Sequence, residues 1–514
     1  MKTLRLFFAS LLICGSAIAA MPSSINNDDS CDLRVGPAAT LLLPYFEVDV
    51  SGTSGQTTLF TITNVTRYPQ VAHVTLWSDW AYPVLTFNLF LTGYDVQAIN
   101  LADVLIRGTV APPSGTRSAT TPGSLSSPSD GNLRTPLDCA NGSGVLPASI
   151  VLAVRAALTT GVFNLGGGVT ACNTLGGTHT HAIGYATIDV VANCTGRMPS
   201  DPAYYTTDLL FDNVLVGDYQ QIGAAPASTG PSTVFDAGGN PMVHIRAVPE
   251  GGGAGSNVAT GLPYTFYDRY TPPASRTIDR RQPLPSTFAA RYVQGGLSIF
   301  ATNVTIWREG VTGSGASCFA YANNGIMEVG EFVRFDEHEN AFGFRNDPIC
   351  APCATAPPTL PPASSTNTAA GADYPPLGGS DVGGWMYLNL NNGGSLTYSV
   401  TQDIAGVRLP TNRRSSLAPA DSTPIIGPRP SQNWVTVTMF GNIGKNRMTT
   451  ELDAAPLGNG CSPAASLAGK DWFFGGTPLT PIAPAGGVFV CPPGTTLTNG
   501  STAQCTGTNV NPPP

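Results

Sequence analysis

Between residues 39 and 104, apolar and polar side chains alternate with a period of two, the spacing of a half-buried strand. "ATLLLPYFEVDV" opens the run, and "TTLFTITNVT" follows with Phe60 and Ile62 on one face. "AHVTLWSDW" sets Val74 and Leu76 on one side and His73, Thr75 and Trp77 on the other. "PVLTFNLFL" aligns Leu85, Phe87 and Leu89, and "YDVQAINLADVL" closes the run. "SGTSGQ", "RYPQ" and "LTGY" separate the segments. Short strands divided by such turns predict an antiparallel β-sandwich.

Residues 111–132, "APPSGTRSATTPGSLSSPSDGN", read as a flexible loop. "LPASIVLAVRAALTTG" then predicts one short inserted helix, with Pro147 in its first turn, Val151, Val154 and Leu158 on one face, and Gly161 at its end. "HAIGYATIDVV", "NVLVGDYQQI" and "MVHIRAV" add strands that complete a first sandwich over 31–248. The glycine-rich "PEGGGAGSN", 249–257, marks a boundary. A second sandwich-like domain, 258–455, takes strands from "LSIFATNVTIW", "EVGEFVRF", "GWMYLNL", "LTYSVTQ", "WVTVTMF" and "RMTTELD". "NNGG" between "GWMYLNL" and "LTYSVTQ" predicts a hairpin, because Asn and Gly tolerate φ > 0. The tail, 456–514, is rich in Pro, Gly and Thr and contains cysteines. The expected architecture is thus mostly β: two antiparallel, Ig-like β-sandwich domains with long loops and one short helix.

The amino terminus changes the setting. Lys2 and Arg5 precede the apolar "LFFASLLICGSAIAA", and Ala17-Ile18-Ala19 fits a signal-peptidase site, so residues 1–19 read as a secretory signal. No later stretch is apolar for long enough to predict a membrane-spanning helix. Charged residues are 11% of the chain, Gly and Pro number 58 and 45, and lysine occurs only at 2, 445 and 470. Removing the signal leaves 23 basic against 33 acidic residues. That balance argues against nucleic acid as a partner, since phosphate binding needs a basic footprint. Few lysines also leave strand edges unguarded, which favours assembly or binding at a surface.

Ten cysteines remain beyond the signal: Cys31, Cys139, Cys172, Cys194, Cys318, Cys350, Cys353, Cys461, Cys491 and Cys505. In an exported chain an even count predicts up to five disulfides. Cys350 and Cys353 form a C-x-x-C pair, but "ATAPPTLPPASSTNTAAG" follows, too rich in proline for the helix that activates a redox thiol. Residue 354 is Ala where a haem-attachment motif needs His, so a pinned loop is the better reading, with Cys318 a plausible partner.

Candidate chemistry is sparse. "EVGEFVRFDEHEN" gathers Glu328, Glu331, Asp336, Glu337, His338 and Glu339, oxygens of the kind Ca²⁺ takes. No EF-hand pattern accompanies them, and a solvated hairpin tip is favoured. "THTH" puts His179 and His181 on one strand face, a pair that suits Zn²⁺ or Cu²⁺ given a third ligand. Two polar residues entering a strand is the favoured alternative. Arg269, Arg276, Arg280, Arg281 and Arg291 could fork carboxylates or sulfated sugars, whereas Asp268 and Asp279 offer pairing that pins a loop. Trp77 and Trp80, flanking Ser78-Asp79, would stack on sugar rings if exposed, and packing under a loop or at an interface is the favoured alternative. G-x-S-x-G, H-E-x-x-H, P-loop and dinucleotide-binding patterns are absent from the sequence. No catalytic residue or cofactor is therefore assigned.

"VGPAATLLLPYFEVD", "TLFTITNV", "AHVTLWSDWAYPVLTFNLFLTGYDVQAINL", "RRQPLPSTFAARY" and "RFDEHEN" resemble a group of uncharacterised exported bacterial proteins, over most of 31–461. The resemblance implies a bacterial source and a β-rich ectodomain, and brings no activity or cofactor. Together these readings predict a secreted, non-catalytic protein of the cell surface, extracellular space or periplasm, whose partner is a protein, a glycan or another copy of itself. The alternative is a secreted polysaccharide hydrolase using paired carboxylates such as Glu331 and Asp336, because glycosidase carboxylates obey no local spacing rule.

Overall fold

The computed structural model describes residues 33–110, 145–164, 175–224, 240–247, 265–267, 279–294, 300–309, 327–345, 359–367, 382–390 and 432–456, except 34, 53, 54, 198, 200, 202, 286, 329, 330, 339, 340, 444 and 445. It also describes short strands at 123–126, 234–236, 397–402, 408–410, 423–426, 496–498 and 504–506. In chain order, the strands of the first half are β1 (Thr40–Val48), β2 (Thr57–Asn64), β3 (Gln70–Ser78), β4 (Pro83–Leu91), β5 (Val96–Asn100), β6 (Gly123–Ser126), β7 (Ala182–Val191), β8 (Leu215–Ala224), β9 (Val234–Asp236), β10 (Asn240–Pro241) and β11 (Val243–Ile245). The second half carries β12 (Thr287–Val293), β13 (Ala301–Arg308), β14 (Met327–Glu328), β15 (Glu331–Asp336), β16 (Ala341–Arg345), β17 (Thr359–Leu360), β18 (Ala363–Asn367), β19 (Gly383–Asn389), β20 (Thr397–Gln402), β21 (Arg408–Pro410), β22 (Thr423–Ile426), β23 (Asn433–Ile443), β24 (Asn446–Asp453) and β25 (Ala455–Pro456).

The protein is mostly β, with several antiparallel sheets. Sheet I runs β11-β1-β7-β3-β4-β6, and sheet II runs β10-β8-β2-β5 with β9 beside β8. Sheet III runs β16-β15-β19-β12-β25, and sheet IV runs β18-β13-β23-β24. The expected alternation holds: Val74 and Leu76, Leu85, Phe87 and Leu89, and Phe60 and Ile62 all enter one core between sheets I and II. Helix α1 (Ala148–Thr160) packs Val151, Val154 and Leu158 into the same core. Gly161 ends α1 at φ +67°, donating its N–H to Ala156 O, a left-handed cap that glycine adopts without steric cost.

Pro44 lies inside the internal strand β1, where a missing N–H breaks the ladder. Leu43 pairs with Ala186 and Phe46 with Gly184, so a bulge absorbs it. The bulge resets the alternation. Leu41, Leu43, Phe46 and Val48 all reach the core shared with sheet II, while Leu42 and Tyr45 face the other way.

That other face of sheet I is also buried. Asn88, His73, Asp189 and Thr40 form one row across β4, β3, β7 and β1, and Thr86, Thr75 and Thr187 form the next. All seven lie within 2% of complete burial. Thr195 and Tyr204 of the first half meet Asn88 and His73, and Tyr267 and Arg281, from beyond residue 257, meet Asp189 and Thr40. Tyr185 stacks on Trp77, with centroids 5.6 Å apart, and meets Trp307 of β13 edge-on at 5.9 Å. Sheet IV turns Val304, Ile306, Val435 and Val437 toward Phe288, Tyr292, Met386 and Leu388 of sheet III, all in one apolar cluster.

Three local expectations are corrected. "LADVL" is not strand: the chain leaves β5 and winds into a π-helical turn, Asp103–Arg107, capped by Gly108 at φ +72°. The 111–132 loop contains β6, which pairs with β4. "NNGG" does not join a hairpin, since β19 pairs with β12 and β15 while β20 pairs with β21 and β22. Turn chemistry permits a hairpin there, and neighbouring strands outcompete it. Among the described residues, no helix is long and apolar enough to cross a membrane.

Candidate functional site

His179 and His181 lie in the segment that enters β7. Each gives one ring nitrogen to a carboxylate: His179 Nε2 is 2.9 Å from Asp79 Oδ2, and His181 Nδ1 is 2.6 Å from Glu47 Oε1. Tyr45 donates its hydroxyl to Glu47 Oε2 at 3.0 Å. Asp79 also accepts the Gly177 N–H at 3.0 Å. Burial, then Glu47 and Asp79, push the Tyr45 hydroxyl well above its usual range. The hydrogen bond to Asp79 raises the pKa of His179 despite partial burial. Among the described residues, no three His, Cys, Asp or Glu side chains converge as a metal set.

Asp336 ends β15 and Glu337 and His338 occupy the tip that follows, where Asp336 Oδ1 accepts the His338 N–H at 2.8 Å. Glu337 Oε2 reaches the Gly383 N–H at 3.4 Å. Glu331 begins β15, and Glu339 lies outside the described residues. Arg269 and Arg276 also lie outside them. Arg280 sits over the Phe211 ring at 5.0 Å and Arg291 over the Trp385 ring at 5.7 Å. Trp77 is wholly buried and donates Nε1–H to Thr187 at 2.9 Å, so it offers no face to a sugar. Trp80 is half-buried. Cys194 follows β7 and Cys505 lies in the strand Gln504–Thr506; Cys31, Cys139, Cys172, Cys318, Cys350, Cys353, Cys461 and Cys491 fall outside the described residues.

The densest chemistry sits where sheet I meets the second half. Asp189 is fully buried and accepts hydrogen bonds from Tyr204 at 2.6 Å, Tyr267 at 2.7 Å and Thr40. Thr40 in turn accepts from Arg281 Nε, which lies 3.6 Å from Asp189 Oδ1. Arg281 is also fully buried and pairs with Asp279 at 3.1 Å. Burial alone would lower the Arg281 pKa, yet Asp279 and Asp189 reverse that and raise it. Burial raises the Tyr204 and Tyr267 hydroxyls well above the usual range, with Asp189 adding to it, so both stay protonated donors. Beside them His73 faces Asn88 Oδ1 at 2.8 Å through Nδ1, which must therefore carry the proton, and burial lowers its pKa. The arrangement suits a fixed, charged lock better than a site that exchanges protons with substrate.

A second grouping also escaped the sequence reading. Glu451 and Asp453, two apart on the edge strand β24, share a face. Tyr219 of β8 donates to Glu451 Oε1 at 3.0 Å, and Trp434 Nε1 donates to Asp453 Oδ1 at 3.1 Å. Burial raises Glu451 to about 7 and Asp453 to about 6. Asp453 as a whole remains exposed, so the shift at the more buried Glu451 carries more weight. The spacing in "TTELD" places both carboxylates on one face, and nothing in the sequence sets Tyr219 above them.

Comparison with protein-family models, with curated proteins and with solved structures finds no match to the chain.

Proposed function

We propose that the chain is an exported bacterial protein of two sandwich-like units, disulfide-stapled, that binds or assembles at the cell surface or outside the cell without catalysing a reaction. One observation carries this reading. The described side chains best equipped for chemistry, Asp189, Arg281, Asp279, Tyr204 and Tyr267, are spent on one another in the seam between the halves. A network satisfied in this way holds a shape and presents its loops, as a binding scaffold requires. The test combines amino-terminal sequencing of the exported product, expected to begin at Ala20 or Met21, with binding to cell envelopes and a screen for polysaccharide cleavage. Cytosolic retention, or turnover of any polysaccharide, overturns it.

A second reading has its own support. Glu451 and Asp453 form a carboxylate pair of the kind a polysaccharide hydrolase uses, with Glu451 raised into the range of a general acid. Reducing-end release that disappears in Glu451→Gln and Asp453→Asn would establish it. Release unaffected by both would refute it.

A further inference from the structure

Two loops meet at one end of the first half: 65–69, joining β2 of sheet II to β3 of sheet I, and 92–95, joining β4 of sheet I to β5 of sheet II. Asn64, fully buried, ties them together. Its Nδ2 donates to Tyr68 O at 2.7 Å and to Thr92 O at 2.9 Å, and its Oδ1 accepts the Thr66 N–H at 3.0 Å. Tyr94 N donates to Thr66 O at 2.8 Å, and Asp95 N to Thr92 O at 3.2 Å. Gly93 packs so closely that an added Cβ would fall on the Arg67 carbonyl.

This fixed tip is unusually apolar outside. Val65, Tyr68, Tyr94 and Val96 are 36%, 58%, 69% and 49% exposed. Tyr94 holds φ +57°, in the left-handed region that Gly and Asn fill readily and a tyrosine enters at a cost. Packing does not explain that choice, because the ring is mostly in water. A strained, exposed aromatic on a rigid frame points to a use at the surface. Arg67 lies over the Tyr68 ring at 4.7 Å and contacts its hydroxyl, and among the described residues it has no carboxylate partner.

The size of the patch selects the partner. Two tyrosines exposed to this degree offer about 250 Å², against the ~800 Å² per side of a standard protein interface. Rigid aromatic faces with hydroxyls, beside a guanidinium that no described carboxylate pairs with, suit a sugar ring bearing a carboxylate. We propose that the tip formed by Val65, Arg67, Tyr68, Tyr94 and Val96 binds acidic polysaccharide, with the tyrosines stacking on sugar rings and Arg67 pairing with a uronate carboxylate. This rests on the surface-binding reading above and gives it a ligand class.

The test uses the full mature chain with polygalacturonate, and with its methyl ester as the uncharged control, by isothermal calorimetry and affinity electrophoresis. Wild type binds polygalacturonate. Tyr94→Asn weakens binding about tenfold or more while Tm stays the same or rises, since Asn accepts the left-handed backbone. Arg67→Gln removes the preference for the acid over the ester. Absence of binding to polygalacturonate, equal binding by Tyr94→Asn, or a lower Tm in that variant each overturns the assignment. Envelope binding that survives Tyr94→Asn overturns the tip alone and leaves the surface-protein reading standing. Cleavage of the polymer overturns the surface-protein reading instead.

Discussion

Asp189→Asn tests the seam directly. The substitution is isosteric, so no cavity forms; what changes is charge and hydrogen-bond polarity. Asp189 accepts from three hydroxyls and lies 3.6 Å from Arg281 Nε, with Asp189, Arg281, Tyr204, Tyr267 and Thr40 all fully buried. Asparagine keeps one acceptor and turns an NH₂ toward groups that are themselves donors. Removing one member of a buried ion pair costs about 3–5 kcal/mol. Asp279, still 3.1 Å from Arg281, keeps the guanidinium partly compensated. The expected loss is therefore near the lower end, about 3 kcal/mol. Equilibrium urea unfolding measures it as a fall in midpoint at unchanged slope. Arg281→Met isolates Asp189 in the same way, so the double variant should lose less than the sum of the singles. A loss under about 1 kcal/mol for Asp189→Asn, or a double variant equal to the sum, refutes the idea that these groups form one coupled lock.

Two further outcomes follow from titrating groups. Glu451 has a raised folded pKa, about 7 against an ordinary 4.5, so the folded chain holds a proton that the unfolded chain has released. Its contribution is full below pH 4.5 and lost as pH rises toward 7; Glu451→Gln should flatten that decline in a urea series across pH. For His179 the raised pKa means stabilisation present below 6.5 and lost as pH climbs through the folded value. Its imidazole resonances should titrate above 6.5, and Asp79→Asn should bring the midpoint down.

How much of this was legible depends on range. Period-two alternation placed Phe60, Ile62, Val74, Leu76, Leu85, Phe87 and Leu89 correctly, because each strand buries one face in the core between sheets I and II. Helix α1 was legible from its own pattern and from Gly161. The carboxylates that meet His179 and His181 were not, since Asp79 and Glu47 arrive from 100 and 134 residues away. The partners of Glu451 were hidden for the same reason: Tyr219 is 232 residues distant. The "NNGG" hairpin failed because turn propensity is worth less than the ladders that β19 forms with β12 and β15.

The deeper difficulty lies in sheet I. His73, Thr75, Thr86, Asn88, Thr187 and Asp189 alternate with apolar neighbours as a solvent face does, and the same pattern made Trp77 a candidate for stacking on sugar. Alternation reports which residues share a face, not what that face meets. Here it meets Thr195 and Tyr204 and, from beyond residue 257, Tyr267 and Arg281; most of its polar side chains find partners, Asn88 with His73, Thr187 with Trp77 and Thr40 with Asp189, while Thr75 Oγ1 has none among the described residues. Burying a charge in such a row is tolerable only when its countercharge is delivered with it, and Arg281 comes from beyond the glycine-rich segment at 249–257. A sequence reading that ends the first domain at that segment separates Asp189 from the residue that balances it. The polar half of an alternating strand in a long β chain is therefore as good a candidate for a seam as for a surface, and a lone aspartate within it asks for a distant arginine.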